Sequence, residues 1–400
     1  MSLEQQVADL VTSTGALTTE VVNKIGKIDA AVAAATADLK LKASLRTAAF
    51  KNRIINGDMR IDQRKAGAVQ AALSFTGGVS VFAADRFRSN WSQMPTGIVS
   101  FQQVYGDAPS GFSHSIKVAV TTAEAPAADK IGTMTTLIEA SNVTDFAFGT
   151  DDAVPTCLTF WVKSTVPGTY TVALSSGPTA TDTQYLANYT VNAANTWERK
   201  VIALPAPKTG TWQRAGTGVG VRLDWNLGSG ANFISNNKNV WAVGRAFRTP
   251  GDVNLIEQIS TWQLSGCQFE KGNEDTPFEF RPITTELALC QRYYYQTDAF
   301  ETIAQSDQSG AGAYGVSPNN NWCFSMTPTP PVVMRANPTV IVKSATGGRA
   351  PGTVSDWTGG ANVTFTSASA PAHGTPRMIG LNLFTAGRAY AFDYSLNAEL

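Results

Sequence analysis

The chain has 400 residues, 43% of them hydrophobic and 16% charged, with 31 basic residues balanced by 31 acidic ones. That length can bury a real core and suits two or three domains. The balance leaves no basic surplus to displace counterions from nucleic acid, and no run of about eighteen apolar residues spans a membrane. The charged share lies below the usual level of about 25%. Abundant Gly, Thr, Ser, Asn and Ala suit a β-rich chain with many tight turns. No basic stretch followed by an apolar one opens the chain, so no secretory leader is expected. Cys157, Cys267, Cys290 and Cys323 lie far apart without C-x-x-C spacing. Buried free thiols are the expectation, not disulfides or metal ligands, which places folding in a reducing cytosol.

Residues 3–45 contain no proline and carry an apolar rhythm. Leu3, Val7, Leu10, Thr14, Leu17 and Val21 follow 4-3-4-3-4 spacing, and Val21, Ile25, Ile28, Val32, Ala35 and Leu39 continue it with one extra residue at Ile25. This pattern predicts a coiled-coil seam with one stutter. Gly15 and Gly26 weaken the helix by about 1 kcal/mol each relative to Ala. Glu4, Asp9, Glu20, Lys27, Asp29, Asp38 and Lys40 occupy the opposite face. Such a helix is about 60 Å long and marginal alone in water, because its narrow stripe needs a partner. Further copies, a different protein or the chain's own globular part could each supply one. Seam residues of this kind do not fix the number of strands.

From residue 52 to 282 the chain reads as short alternating runs broken by turns such as Val166-Pro167-Gly168. Strands are predicted over 98–104, 114–120, 134–140, 158–162, 170–174, 185–191, 198–202, 218–224, 240–247 and 260–270. Many strands at near-regular spacing with no intervening helix predict a two-sheet sandwich. Trp161, Trp197, Trp241 and Trp262 fall within or beside these runs and are expected in the core. After a Gly/Asn/Asp turn, Phe278-Glu279-Phe280-Arg281 alternates again, and a short helix is predicted over 286–295. Residues 301–400 show further strands over 332–334, 339–344, 361–367, 378–383 and 390–394, beside a proline-crowded loop.

Several of these segments carry a family resemblance. Residues 52–64 (NRIINGDMRIDQR) look like an opening signature of phage virion proteins, and Ala84-Asp85-Arg86-Phe87 like a segment that follows it. Residues 158–164 (LTFWVKS), 168–171 (GTYT), 195–201 (NTWERKV) and 260–296 resemble carbohydrate-binding-module-like jelly rolls of phage tail fibres. Residues 331–340 (PVVMRANPTV) and 390–400 (YAFDYSLNAEL) resemble terminal domains of the same proteins. The resemblance implies a mainly β chain. An N-terminal coiled coil (1–50) precedes a jelly-roll β-sandwich (51–283), a connecting helix (284–297) and a smaller C-terminal β-sandwich (298–400). It also implies a non-enzymatic structural protein of the virion tail, assembled in the host cytoplasm. Its N-terminus would bind other tail proteins as a homotrimer, and its β domains a host-surface glycan or protein, with no cofactor, nucleic acid or membrane insertion.

Motifs of catalysis are sparse. His114 and His373 lack a nucleophile motif, and two scattered histidines do not make a zinc site. Gly216-Thr217-Gly218-Val219-Gly220 runs into a strand and lacks the Lys-Ser/Thr of a phosphate loop. Asp151, Asp152, Asp224, Glu270, Glu274 and Asp275 are the acids that a glycosidase would have to pair. No Asp-x-Asp calcium loop occurs, although loop carbonyls and acids could still hold a calcium ion. Aromatics outside regular strands are the binding candidates, since sugar rings present apolar C–H faces beside hydroxyls. These are Trp212, Trp225, Trp322 and Trp357, with Asp356 and Tyr314 beside the C-terminal pair. Trp322, Trp357, Asp356 and Tyr314 are preferred on position, because a fibre anchored by its helix presents its far domain. The rival functions are a depolymerase or glycosidase spike and a connector or decoration protein without a receptor role.

Overall fold

The computed structural model describes residues 1–47, 50–75, 79–92, 94–297, 313–319, 321–325, 330–344, 351–356, 362–372, 377–379 and 383–400. The chain divides into two compact units, Met1–Lys51 and Asn52–Leu400.

The first unit is one helix, α1 (Leu3–Thr47). Its threonines are tolerated because their hydroxyls turn back onto the preceding helical turn. Thr14 Oγ1 donates to the Leu10 carbonyl at 2.7 Å and Thr18 Oγ1 to the Thr14 carbonyl at 2.8 Å. The seam is open to solvent, with Leu10 65%, Leu17 63% and Ile28 60% exposed. Leu3, Val7, Val21, Ile25 and Val32 are exposed as well, while the side chain of Leu39 lies outside the described residues. No helix among the described residues is long and apolar enough to cross a membrane.

The second unit begins with strands β1 (Gln70–Phe75), β2 (Val79–Ala84), β3 (Phe87–Trp91), β4 (Met94–Tyr105), β5 (His114–Thr122), β6 (Gly132–Glu139) and β7 (Thr156–Ser164). It continues with β8 (Gly168–Ser175), β9 (Thr183–Val191), β10 (Glu198–Leu204), β11 (Val219–Asn226), β12 (Trp241–Val243) and β13 (Ser260–Lys271). They form a six-stranded sheet, β1-β4-β5-β13-β7-β10, and a seven-stranded sheet, β12-β9-β8-β11-β6-β3-β2. The chain crosses repeatedly between the two, as in a jelly roll. Large side chains meet between them: Phe160 on β7 and Trp225 on β11 make an edge contact at 5.6 Å, and Trp91 on β3 meets Phe101 on β4 at 5.9 Å.

The segment before β1 is irregular and is held by its own polar groups. Asn52 Oδ1 accepts from the amides of Ile54 (3.0 Å) and Phe269 (3.1 Å), and Asn52 Nδ2 donates to the Cys267 carbonyl at 3.0 Å. Asn56, at φ 58°, donates through Nδ2 to the carbonyls of Ile61 and Asp85. Gly57 packs so close to β13 that a Cβ there would lie 2.1 Å from the Cys267 carbonyl oxygen. The NRIINGDM run is therefore a backbone-satisfying plug against β13.

Beyond the sandwich come α2 (Ile283–Gln291), β14 (Tyr294–Gln296), β15 (Ala313–Asn319), β16 (Trp322–Ser325), β17 (Thr339–Ser344), β18 (Thr353–Asp356), β19 (Asn362–Thr364), β20 (Ser367–Ser369), β21 (Arg377–Ile379) and β22 (Ala389–Asn397). These described strands form one nine-stranded sheet, not the two sheets of the expected second sandwich. The reason is β22, whose length lets β14, β15, β17 and β18 all pair with it. Tyr390, Phe392, Tyr394 and Leu396 alternate along its core face. Arg64 ties this sheet to the sandwich. It pairs with Asp85 (2.9 Å) and Glu399 (3.0 Å), between the rings of Phe82 and Tyr294 at 3.8 Å each.

Other expectations are corrected locally. Phe278-Glu279-Phe280-Arg281 alternates but joins no ladder, because Pro277 and Pro282 bracket it and its side chains do the bonding. Glu279 accepts from the Asn52 amide at 2.9 Å, and Arg281 donates to the Asn52 carbonyl. The predicted helix 286–295 starts earlier and stops at Gln291, since Tyr294–Gln296 are drawn into pairing with β22. Residues 240–247 shorten to β12, and 332–334 form no strand. The four cysteines are buried and free, as expected.

Candidate functional site

The sequence candidates in the C-terminal part are only partly described. Trp357 and the side chains of Trp322 and Tyr314 lie outside the described residues. The backbone of Tyr314 pairs with Ala391, and that of Trp322 with Ile379. Asp356 is buried and accepts from Arg388 Nη1 at 2.5 Å. Trp212 and Trp225, the other candidates, are interior. Trp225 is fully buried between the sheets, and Trp212 packs edge-on against Phe148 (4.8 Å) and Trp241 (5.6 Å).

The acids considered for hydrolysis are mostly engaged. Glu270 is buried and accepts from the Thr276 amide (3.0 Å), Thr276 Oγ1 (2.6 Å) and Gln268 Nε2 (2.8 Å). Asp224 is buried against Arg222 and accepts from Thr135 Oγ1 at 2.5 Å. Asp151 and Asp152 are exposed in a turn. Of the histidines, His373 is outside the described residues, and His114 packs on Tyr105 at 5.2 Å, where burial pushes its pKa down. No group of three or more His, Cys, Asp or Glu side chains among the described residues could hold a metal ion.

The sandwich has two outer faces, and they differ. On the seven-stranded sheet, Arg222 and Asp224 pair within β11, and residues 228–239 and 244–254, on either side of β12, pack on the outward residues of β8, β9 and β11. Asp252 in the second segment accepts from Thr171 Oγ1 (2.7 Å) and Arg248 Nε (2.8 Å). Asn188 Nδ2 donates to Thr249 Oγ1 at 2.8 Å, and Phe247 lies 6.0 Å from the Arg222 guanidinium. Burial raises the Asp252 carboxyl above its ordinary value, ahead of the hydrogen bonds that lower it. Over β8, β9 and β11 this face is covered.

On the six-stranded sheet, the outward Gln263, Ser265 and Gln268 are buried, and aromatic and charged side chains around them are half-buried. Alternation along β7 sends Phe160 and Val162 inward, and Trp161 and Lys163 outward. Trp161 pairs across the sheet with Ser265 on one side and Arg199 on the other. Gly266, at φ +59° in the β13 bulge, leaves room for rings: a Cβ there would lie 2.7 Å from Phe112 and 2.9 Å from Trp161. Phe112, Phe278 and Phe280 form a mutual cluster with centroids 4.8–5.2 Å apart, and Phe280 is 54% exposed.

Two ion pairs border these rings. Arg199 Nη2 meets Asp275 Oδ2 at 2.7 Å. Lys163 pairs with Asp107 and lies 5.1 Å from the Trp197 ring. Gln263 Nε2 also donates to Asp107, at 3.0 Å. Burial would raise the Asp107 carboxyl, but the hydrogen bonds from Lys163 and Gln263 outweigh it and hold the pKa below the ordinary value. Trp161 and Trp197, expected in the core, are half-buried on this outer face instead. The signal was present in the phase of Phe160-Trp161-Val162-Lys163. Such a surface can stack on flat apolar faces and exchange hydrogen bonds with hydroxyls.

No protein-family profile matches the sequence, and no curated protein matches it. Among solved structures, the chain is similar to CBM22-1–GH10 modules of a Clostridium thermocellum xylanase (11% identity, 54% of this chain, 30% of that one, TM-score 0.26). It is also similar to the enzymatically active domain of tailspike protein 4 of bacteriophage CBA120 (12%, 56% and 22%, TM-score 0.28). A third likeness is the family 11 carbohydrate-binding module of a Clostridium thermocellum cellulase (12%, 53% and 99%, TM-score 0.26). The chain thus spans less than a third of the length of the first two. These are partial likenesses at low identity, and neither ligand nor activity passes from them to this chain.

Proposed function

We propose that the protein is a non-enzymatic structural component of a virion, a phage tail fibre whose helices bundle as a trimer and whose β unit recognises a host surface. The observation that carries this reading is the open seam of α1, a line of Leu, Val and Ile side chains that are about half or more exposed on a single chain. Burying such side chains stabilises a bundle by about 1.5–3 kcal/mol each, so copies are driven together. The heptad phase adds a charge match. After the stutter Lys24 falls at g and Asp29 at e, the positions that pair between neighbouring copies in a parallel, in-register bundle. Among the described residues Lys24 pairs with the exposed Glu20, at 3.1 Å.

Several copies on one stalk raise the effective affinity of a weak surface site by about 10²–10⁴ without new contacts. The engagement of Glu270, Asp224 and Asp275 by neighbouring side chains favours recognition over hydrolysis. Light scattering on the full chain is expected to give three times the 42.5 kDa of one chain. Leu10→Asp with Leu17→Asp is expected to return it to a single copy. A wild-type mass of one chain would end the fibre reading.

A further inference from the structure

We propose that Asn226 anchors an internal water site beneath the segments that cover β8, β9 and β11. Asn226 ends β11 and is 0% exposed. Alternation along the strand turns Trp225 into the core and Asn226 outward, on the side of Asp224. Neither Oδ1 nor Nδ2 of Asn226 has a hydrogen-bond partner among the described residues. Buried carboxamides elsewhere in the unit are bonded at both ends. Asn52 accepts from the Ile54 and Phe269 amides and donates to the Cys267 carbonyl, and Asn56 accepts from the Ile61 amide and donates to the Asp85 carbonyl. A buried donor or acceptor left dry weakens folding by about fivefold or more, and Asn226 carries both.

Short polar residues surround it. Thr133 is its partner across the ladder with β6. On the other side Val172 pairs with Trp225, so Thr171 is the next neighbour along β8, and its Oγ1 donates to Asp252 at 2.7 Å. Three residues on, Ser229 is fully buried. Its carbonyl accepts from Arg248 Nη1 at 3.0 Å and Asn254 Nδ2 at 3.4 Å. Asn254 Oδ1 is itself buried and unpartnered among the described residues. Chemistry selects the ligand. It must accept from Nδ2 and donate to Oδ1. Water does both, whereas a metal ion would answer Oδ1 alone and an anion Nδ2 alone. Arg248 and Asp252 neutralise each other at 2.8 Å, so the covering segment brings no excess charge that calls for an ion. Internal waters of this kind make about two to four hydrogen bonds to groups otherwise left unpaired.

Two measurements on the full chain test the site. A high-resolution crystal structure is expected to show an oxygen-sized peak about 2.7–3.2 Å from both side-chain atoms of Asn226. Water magnetic relaxation dispersion is expected to count fewer long-lived waters in Asn226→Leu than in wild type. Urea denaturation of that variant is expected to show a folding constant about tenfold lower, because leucine evicts the water and strands its other partners. The proposal is overturned if both amide atoms bond protein directly, or if the peak lies at the about 2.3–2.6 Å of a calcium ligand. It is also overturned if Asn226→Leu keeps every long-lived water, or is as stable as wild type or more so, the result for a dry amide. The crystal needs no variant and decides alone should the leucine chain fail to fold.

Discussion

The two outer faces of the sandwich are built from the same alternating strands yet are covered in different ways, one by bonded polar groups and the other by aromatic rings. On the seven-stranded sheet the outward residues include Arg222, Asp224, Thr133 and Thr135, which bond one another within the sheet, and Thr171, which donates to Asp252 of the covering segment. On the six-stranded sheet the outward Gln263, Ser265 and Gln268 are buried, while Trp161 stays half-buried and the neighbouring loops add the exposed Phe280 and Asp107. A face that carries small hydroxyls and matched charges can be buried because most of its polar groups find partners, the side chain of Asn226 being an exception. A face that carries rings keeps part of them accessible, as at Trp161 and Phe280, even where the polar residues beneath are buried.

The largest effect expected from this difference comes from arginine truncation. Arg222→Ala would leave Asp224 buried and without its guanidinium, at a cost of about 3–5 kcal/mol. Arg199→Ala on the aromatic face would remove a solvated pair worth less than about 1 kcal/mol. Urea denaturation of both variants checks the contrast, and equal losses would erase it. Next in size is Gly266→Ala. Its left-handed backbone and the rings of Phe112 and Trp161 within 3 Å of the new methyl predict a loss of about 1–3 kcal/mol. Tryptophan fluorescence is expected to shift with it, and an unchanged spectrum and stability would show that the rings do not crowd Gly266.

The smallest effect is a pair of opposite titrations. Asp107 has a lowered pKa, so it stabilises the fold fully above the ordinary carboxyl value of 3.8, and that support disappears as pH falls through its lower native value. Asp252 has a raised pKa, so its contribution is complete below 3.8 and is lost as pH rises through its higher native value. Carboxyl-carbon NMR titration of the two residues is expected to place Asp107 below 3.8 and Asp252 above it. The reverse order would contradict the burial assigned to each face.

Most of the sandwich strands were legible because period-2 alternation is a local property. Its use of the tryptophans was not. Trp161 looked like a core anchor because it lies in a strand, yet its neighbours Phe160 and Val162 hold the inward phase. Trp225 looked peripheral beside Asn226, but β11 runs on through Asn226 and carries Trp225 to the centre of the core. Phe278-Glu279-Phe280-Arg281 has strand periodicity without a strand, because only tertiary partners decide whether a ladder forms. The aromatic face itself is assembled from residues 105–112, 161–163, 197–199 and 266–280, which no local pattern connects. The preferred site residues Trp322, Trp357 and Tyr314 fall where side chains are outside the described residues, and Asp356 is committed to Arg388.

Hydroxyl-radical footprinting of the full chain at increasing concentration reads both faces and the seam together. Phe280 and Tyr105 are expected to oxidise quickly and Trp225 and Phe247 slowly at every concentration, while Leu10, Leu17 and Ile28 become protected as copies assemble. Rapid oxidation of Phe247 with protection of Phe280, or a seam that stays reactive at the highest concentration, would contradict the account.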